Sequence, residues 1–203
     1  MFKFNKSRMT LSIVAAVLAS ASGAASATPT LFGSATYGGV TYQVYDTRTD
    51  GGITWTGART FSQSIGGDLA SLTSSGAISA VTGISSFSTL FNNSGLGPWV
   101  GAYASATKGS AFSWVNGSAV TPGSNGFSWG ASQPDWAEAG AQGVLFFPST
   151  TSFGDYGQFC GAGAGGCNAG NVYGFVMQVP TPATIALLGL GLVGIGAARR
   201  KQA

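Results

Sequence analysis

Histidine is absent from this chain of 203 residues, and charged side chains make up only 7% of it. Without histidine the chain lacks the general base of Ser-His-Asp and Cys-His sites and the commonest nitrogen ligand of catalytic metals. The six acidic residues are scattered, and only Asp135 and Glu138 are close in sequence. No pair of carboxylates therefore indicates a glycosidase, and we expect a protein that is not an enzyme.

Basic residues are also few, and most of them lie at the two ends of the chain. Of nine Lys and Arg, three fall in the first eight residues and three in the last five, so three basic residues stand against six acidic ones between them, a net charge of −3. The overall pI near 9.0 reflects the termini. The sequence therefore predicts no nucleic-acid partner.

Long hydrophobic runs are missing at the N-terminus, where the apolar stretch 11–19 is far shorter than the ~20 residues of a spanning helix. Residues 1–27 have a basic start, this apolar stretch, and the small-residue ending Ala25-Ser26-Ala27. That order is typical of a secretory signal peptide cut before Thr28. An N-terminal membrane anchor is the alternative, which the short run disfavours, so we expect an exported protein.

The C-terminal residues 179–203 form a second segment with its own pattern. Two prolines are followed by the uncharged apolar run 185–196 and a basic end, so we expect a short transmembrane helix with its basic end in the cytoplasm. The segment resembles the PEP-CTERM sorting tail, with Thr181 where that family usually has Glu. The residues that carry the resemblance are Val179, Pro180, Pro182, Arg199 and Arg200.

The PEP-CTERM resemblance implies a route for the protein. In that family an exosortase recognises the tail and removes it after transient anchoring in the inner membrane. We therefore expect the mature part at the cell surface, in the outer membrane or outside the cell.

Between the two end segments lies one domain, residues 28–178, whose patterns indicate an α+β fold. Period-2 alternation and apolar runs predict strands, while 3.6-residue spacing predicts helices. Asn116-Gly117 predicts a two-residue type I′ hairpin. The predicted strands lie at 41–45, 144–147 and 173–178. The predicted helices lie at about 54–65, ended by Gly66-Gly67, and from 75 to about 84. The apolar side of the first helix is Trp55, Ala58, Phe61 (or Ser62) and Ile65.

Aromatic residues in a fixed order connect this domain to a known family. The order is Pro98-Trp99-Val100-Gly101, then Phe112 to Gly117 around Trp114, then Trp129, then Gln133-Pro134-Asp135. It resembles the C-type lectin-like domain over about residues 36–178. The resemblance implies two helices flanking small antiparallel sheets, with a long loop region above them. Trp99, Trp114 and Trp129 are predicted to lie in the core.

Gln133-Pro134-Asp135 is the candidate binding loop. In the lectin family a cis peptide bond precedes this proline, and the flanking side-chain oxygens bind Ca²⁺ together with sugar hydroxyls. The resemblance implies carbohydrate-binding residues Gln133, Asp135 and Trp136, and metal ligands Gln133, Asp135, Glu138 and Asp155. The alternative is a structural loop in which Pro134 fixes the backbone and Asp135 caps a turn. Trp136 then packs in the loop instead of stacking on a sugar.

The only two cysteines, Cys160 and Cys167, enclose six Gly and Ala residues. A disulfide is the favoured interpretation in an exported protein. A metal site is the alternative, but it lacks further Cys or His ligands.

Two functions from different classes follow from these patterns. The first is a surface or matrix protein that binds carbohydrate, such as the exopolysaccharide of a biofilm, without catalysis and with calcium as a possible cofactor. The second is a structural or protein-interaction module of the extracellular matrix without a sugar or calcium site. The expected partners are an exosortase, and a polysaccharide or a surface protein.

Overall fold

The computed structural model describes residues 28–147, 152–163, 167 and 170–179. This part of the chain contains eight strands and two α-helices. In chain order the elements are β1 (Thr30–Tyr37), β2 (Val40–Asp46), α1 (Trp55–Ser64), β3 (Asp68–Leu69), α2 (Ser75–Thr82), β4 (Trp99–Ala104), β5 (Ser113–Trp114), β6 (Gln142–Phe146), β7 (Phe153–Gly157) and β8 (Gly174–Val179). Arg48–Asp50 and Phe87–Leu90 form short 3₁₀ helices. The predicted signal peptide, and the predicted sorting tail beyond Val179, lie outside the described residues. Within the described part, no helix combines the length and apolar character needed to cross a membrane.

The strands form one mixed sheet in the order β1-β2-β8-β4-β6-β7, with β3 paired to β8 and β5 to β4. The α+β class is confirmed, but the expectation of several small sheets is wrong. A parallel contact between Trp99 and Phe175 joins β4 to β8 and makes the two antiparallel halves continuous. The predicted closing strand pairs antiparallel with β2, beginning at Thr41 opposite Val179.

Helix α1 lies within one residue of its predicted bounds. The Thr54 side chain accepts a hydrogen bond from the Gly57 N–H at 3.0 Å, which caps the first turn. Trp55 is buried, and its indole N–H donates to the Val100 carbonyl at 2.8 Å, so α1 is fixed on β4. Ile65 was predicted to face the core, but it is 45% exposed because the helix has already ended before Gly66 (φ 87°).

The core lies on both faces of the sheet. Tyr42 and Val44 of β2 belong to one cluster, which includes Ile78 and Val81 of α2. Tyr45 of the same strand belongs to the other cluster, with residues of α1 and β8. Because neighbouring side chains of a strand point to opposite faces, β2 contributes to both clusters and the two helices cover opposite sides.

The hairpin at Asn116-Gly117 is present, but its predicted turn type is wrong. Ser113 bridges Ala119, and the Gly117 N–H donates to the Trp114 carbonyl at 2.8 Å. Gly117 has a φ of 87°, whereas Asn116 has no positive φ. A type I′ turn needs positive φ at both central residues, so the loop is a longer turn ended by a left-handed glycine.

Candidate functional site: the Gln133–Trp136 loop and its aromatic cleft

The segment that leads into the candidate loop runs beside β7. Phe153 donates its N–H to the Ser128 carbonyl at 2.9 Å and accepts from the Gly130 N–H at 2.7 Å. The Gln133 N–H then donates to the Gly130 carbonyl at 3.1 Å. The Gln133-Pro134 peptide bond is cis, as the resemblance implies. The loop therefore starts from a backbone position that β7 defines.

Asp155 of β7 holds the loop through its carboxylate. One oxygen accepts the Asp135 N–H at 2.8 Å, and the other accepts the Trp136 N–H at 3.0 Å. In return, Gln133 Oε1 accepts the Asp155 N–H at 3.0 Å. Trp136 has a φ of 55°, a conformation that costs a bulky residue about 1–3 kcal/mol and persists only where its surroundings impose it. We call these three hydrogen bonds the Asp155 latch.

The environment of Asp155 affects its ionisation in two directions. Burial raises the pKa of this carboxyl, which is only 5% exposed. The hydrogen bonds from the Asp135 and Trp136 N–H groups act against that shift, while the negative charge of Asp135 adds to it. The net shift is upward from the ordinary value of 3.8. The charge-assisted bonds of the latch thus offset part of the cost of burying a carboxylate.

Next to the loop lies an open cleft of about 230 Å³. Its described lining includes three aromatic rings, Phe112, Trp129 and Trp136, and no charged side chain. Phe112 forms its buried floor, with ring centroids 5.0 Å from Trp129 and 5.5 Å from Trp136. Trp129 and Trp136 are both half-buried and line the cleft. The prediction that Trp99 and Trp114 are core residues is confirmed, whereas Trp129 only packs against the core with one side. Pro134 and Ser110 also line this aromatic cleft.

The predicted calcium ligands all lie among the described residues, where most of their side-chain oxygens already accept backbone hydrogen bonds. Both oxygens of Asp155 and the side-chain oxygen of Gln133 accept backbone N–H groups, and Asp135 Oδ1 accepts the Ala137 N–H at 3.0 Å. Glu138 is buried, at 6% exposure. Among the described residues, no three His, Cys, Asp or Glu side chains lie together as metal ligands. Calcium binding stays a prediction, and the turn that Asp135 caps is present.

Cys160 and Cys167 form a disulfide, with an S–S distance of 2.03 Å and a Cα–Cα distance of 5.7 Å. The disulfide interpretation is therefore confirmed. Cys160 is fully buried and belongs to the same cluster as Trp99 and Tyr156. The bond fixes the chain after β7 to the core on the side of α1.

Sequence reasoning missed two features of the site. It proposed Asp155 as a ligand and did not foresee that its carboxylate positions the loop. It also missed Phe112 and Ser110 as neighbours of the loop, because they reach it from the β4–β5 connection. The signal available in the sequence was the run of aromatic residues around both segments, which predicted a shared core without indicating an open side.

Comparison with known proteins identifies the C-terminus of the chain. The family described as the PEP-CTERM protein-sorting motif matches residues 178–201. No curated protein matches the chain. The motif implies an exported protein that is transiently anchored by its C-terminus, processed by an exosortase and sorted to the cell surface or the extracellular space. Of the predicted sorting residues, Val179 ends β8, while Pro180, Pro182, Arg199 and Arg200 lie outside the described residues.

Proposed function

We propose that this chain is an exported, non-enzymatic carbohydrate-binding protein of the cell surface or extracellular matrix. Its domain, residues 28–178, would have a C-type lectin-like fold, and the sugar would bind in the aromatic cleft beside the Gln133–Trp136 loop. The observation that carries the proposal is the pair of half-buried rings, Trp129 and Trp136, that both contact Phe112 in a cleft whose described lining is uncharged.

The arrangement of the elements supports the lectin-like fold. The strand with Trp99 leads into the hairpin with Trp114, as the family order requires. Strand β8 pairs with β2, which brings the two ends of the domain together, and two helices cover opposite faces of the sheet. The cis peptide before Pro134 and the strand that contains Asp155 agree with the family's binding region.

The chemistry of the cleft supports a sugar as the ligand. The apolar C–H faces of a pyranose pack on indole rings, and burying that area against two rings supplies most of the binding free energy. Binding sites of this kind add a few polar groups that fix orientation. Ser110 lines the cleft, and the exposed Asp135 stands beside Pro134, so both can bond to hydroxyl groups.

The proposal does not require calcium. The two oxygens of Asp155 already accept the Asp135 and Trp136 N–H groups, so the loop is held without an ion. Its effect is to hold Trp136 in its left-handed backbone conformation and so to fix one side of the cleft before the sugar arrives. A site that is already ordered loses less conformational entropy on binding.

The test is a glycan array and titration calorimetry on the full chain, with and without a chelator. Trp136→Ala should weaken binding about tenfold or more, since tenfold corresponds to 1.4 kcal/mol and loss of a stacked ring exceeds that. Phe159→Ala is the matched control, because Phe159 is an exposed ring (44%) that does not line the cleft. The chelator should have no effect; a loss of binding on chelation would instead establish a calcium site. Equal effects of the two substitutions would refute the cleft as the sugar site.

A structural or protein-interaction module is the second candidate, and strand β1 favours it. Within the described residues β1 pairs only with β2, so its other edge is open. Thr30–Tyr37 contains no charged residue and no proline, the features that usually protect an edge strand from pairing with another chain. If no glycan binds, analytical ultracentrifugation of the full chain should show self-association that Ser34→Lys abolishes.

A further inference from the structure

Strand β8 ends at Val179, and the apolar run of the sorting tail begins at Ile185, six residues later. An extended chain covers at most about 3.3–3.6 Å per residue, so these two positions are no more than about 22 Å apart. When the apolar run is in the bilayer, the end of the sheet at Val179 must therefore lie close to the membrane surface.

Strand pairing defines what else lies at that end. Val179 pairs with Thr41 of β2, and the preceding residue, Val40, pairs with Tyr37 across the β1–β2 turn. A Cβ atom on Gly67 would lie 3.3 Å from the Val179 side chain, which places the end of α1 there as well. We call this the tail-exit surface, and it consists of Tyr37, Gly38, Gly39, Ile65, Gly66 and Val179.

We propose that the tail-exit surface rests on the lipid bilayer while the tail is anchored. Tyr37 and Ile65 are 46% and 45% exposed, and they are two of only four large hydrophobic side chains in the described part of the chain that are so open to solvent. Ile65 gains from leaving water, while a tyrosine ring suits the headgroup region because it has an apolar body and a polar tip. The anchored tail places this surface beside the bilayer, so lipid is its proposed contact.

Each end of β2 has one ion pair nearby, and the end away from the tail carries one further charge, Asp50. Asp68, which pairs with Gln178 next to the tail-exit surface, forms an ion pair with Arg59 at 3.1 Å. The opposite end of β2 is Asp46, followed by Arg48 and Asp50. In this orientation the end with Asp46, Arg48 and Asp50 is turned away from the bilayer, and its charges stay in water.

Fluorescence quenching in vesicles tests whether the tail-exit surface contacts the membrane. The full chain would be reconstituted in phosphatidylethanolamine and phosphatidylglycerol vesicles that contain lipids brominated near the headgroup. One form carries an environment-sensitive dye at Ser64→Cys, next to Ile65. The control form carries it at Thr30→Cys, next to Leu31, which is 51% exposed at the far end of β1. The native cysteines are bonded to each other, so only the new thiol is labelled.

The Ser64→Cys label should be quenched at least about twofold more than the Thr30→Cys label. The substitutions Tyr37→Asn and Ile65→Asn should bring quenching at the first label down to that of the second, without change in sugar binding. Equal quenching of the two labels in the unsubstituted background, or none at either, would overturn the proposal. Both labels lie outside the aromatic cleft, so failure here and failure of sugar binding are separate results.

Discussion

At the scale of the residue, Asp155 links the sheet to the candidate loop. An asparagine at this position has one acceptor oxygen, and its NH₂ group would face one of the two N–H donors from Asp135 and Trp136. Asp155→Asn should therefore lower the free energy of unfolding by about 1–3 kcal/mol, the cost of a buried unsatisfied group. Urea unfolding of the full chain measures it. Asp135→Asn is the control, because it is exposed and keeps an acceptor for the Ala137 N–H; an equal loss in both variants would contradict the role of the latch.

The ionisation of Asp155 gives a prediction of its own. Because its pKa is raised above 3.8 in the folded protein, the folded state holds the proton more tightly than the unfolded chain. Its contribution to stability is therefore full below 3.8 and falls as pH rises through the raised pKa. Carboxyl NMR titration should find a midpoint above 3.8 for Asp155. A midpoint below that value would mean that the latch hydrogen bonds outweigh burial.

At the scale of the element, the cap of α1 can be tested by substitution. Thr54→Ala removes the acceptor for the Gly57 N–H and should cost about 1 kcal/mol of unfolding free energy. Thr54→Ser keeps a hydroxyl at the same place and should cost much less. Thermal unfolding of the two variants compares them directly. The same loss in both would show that the threonine methyl group, not the cap, stabilises the helix start.

The elements that the sequence predicted are those whose signals are local. Both helices were predicted from apolar spacing, α1 also from its glycine end, and both are present within about two residues of their expected bounds. Strand β1 was missed because its side chains are exposed or half-buried along its whole length, so no alternation marks it. Ile65 was placed on the wrong side because its spacing fits the helix one residue beyond the point where the helix ends.

At the scale of the whole molecule, the features that sequence could not predict are those formed by distant residues. The single sheet depends on the contact between Trp99 and Phe175, which are far apart in the chain. The Asp155 latch likewise joins β7 to the loop near Trp136, and no spacing rule contains it. A motif can predict that Gln133 and Asp155 belong to one site, but whether their oxygens turn toward an ion or toward backbone N–H groups depends on the folded loop.

The lack of histidine predicts how the stability of the whole molecule depends on pH. With no side chain of ordinary pKa near 6.5, the free energy of unfolding should be flat between about pH 6 and pH 9. Burial raises the pKa values of Tyr42 and Tyr45 above 10.0, and the charge of Tyr37 adds to the shift of Tyr42. Their contribution to stability is full below pH 10.0 and is lost as pH rises through the raised values.

On the acid side Asp46 acts with the opposite sign. Burial opposes its ionisation, but hydrogen bonds from Arg48 and the charge of that side chain outweigh burial and lower the pKa below 3.8. The stability that this ion pair gives is present above 3.8 and is lost as pH falls through the lowered value. Urea unfolding should thus show a plateau between about pH 6 and pH 9 and a fall above pH 10.0, whereas on the acid side the loss from Asp46 is opposed by the raised pKa of Asp155. Tyr42→Phe should reduce the alkaline fall, because the ring that has to ionise in the core is gone, and should leave the acid side unchanged. A slope between pH 6 and pH 9 in the native chain would contradict this account.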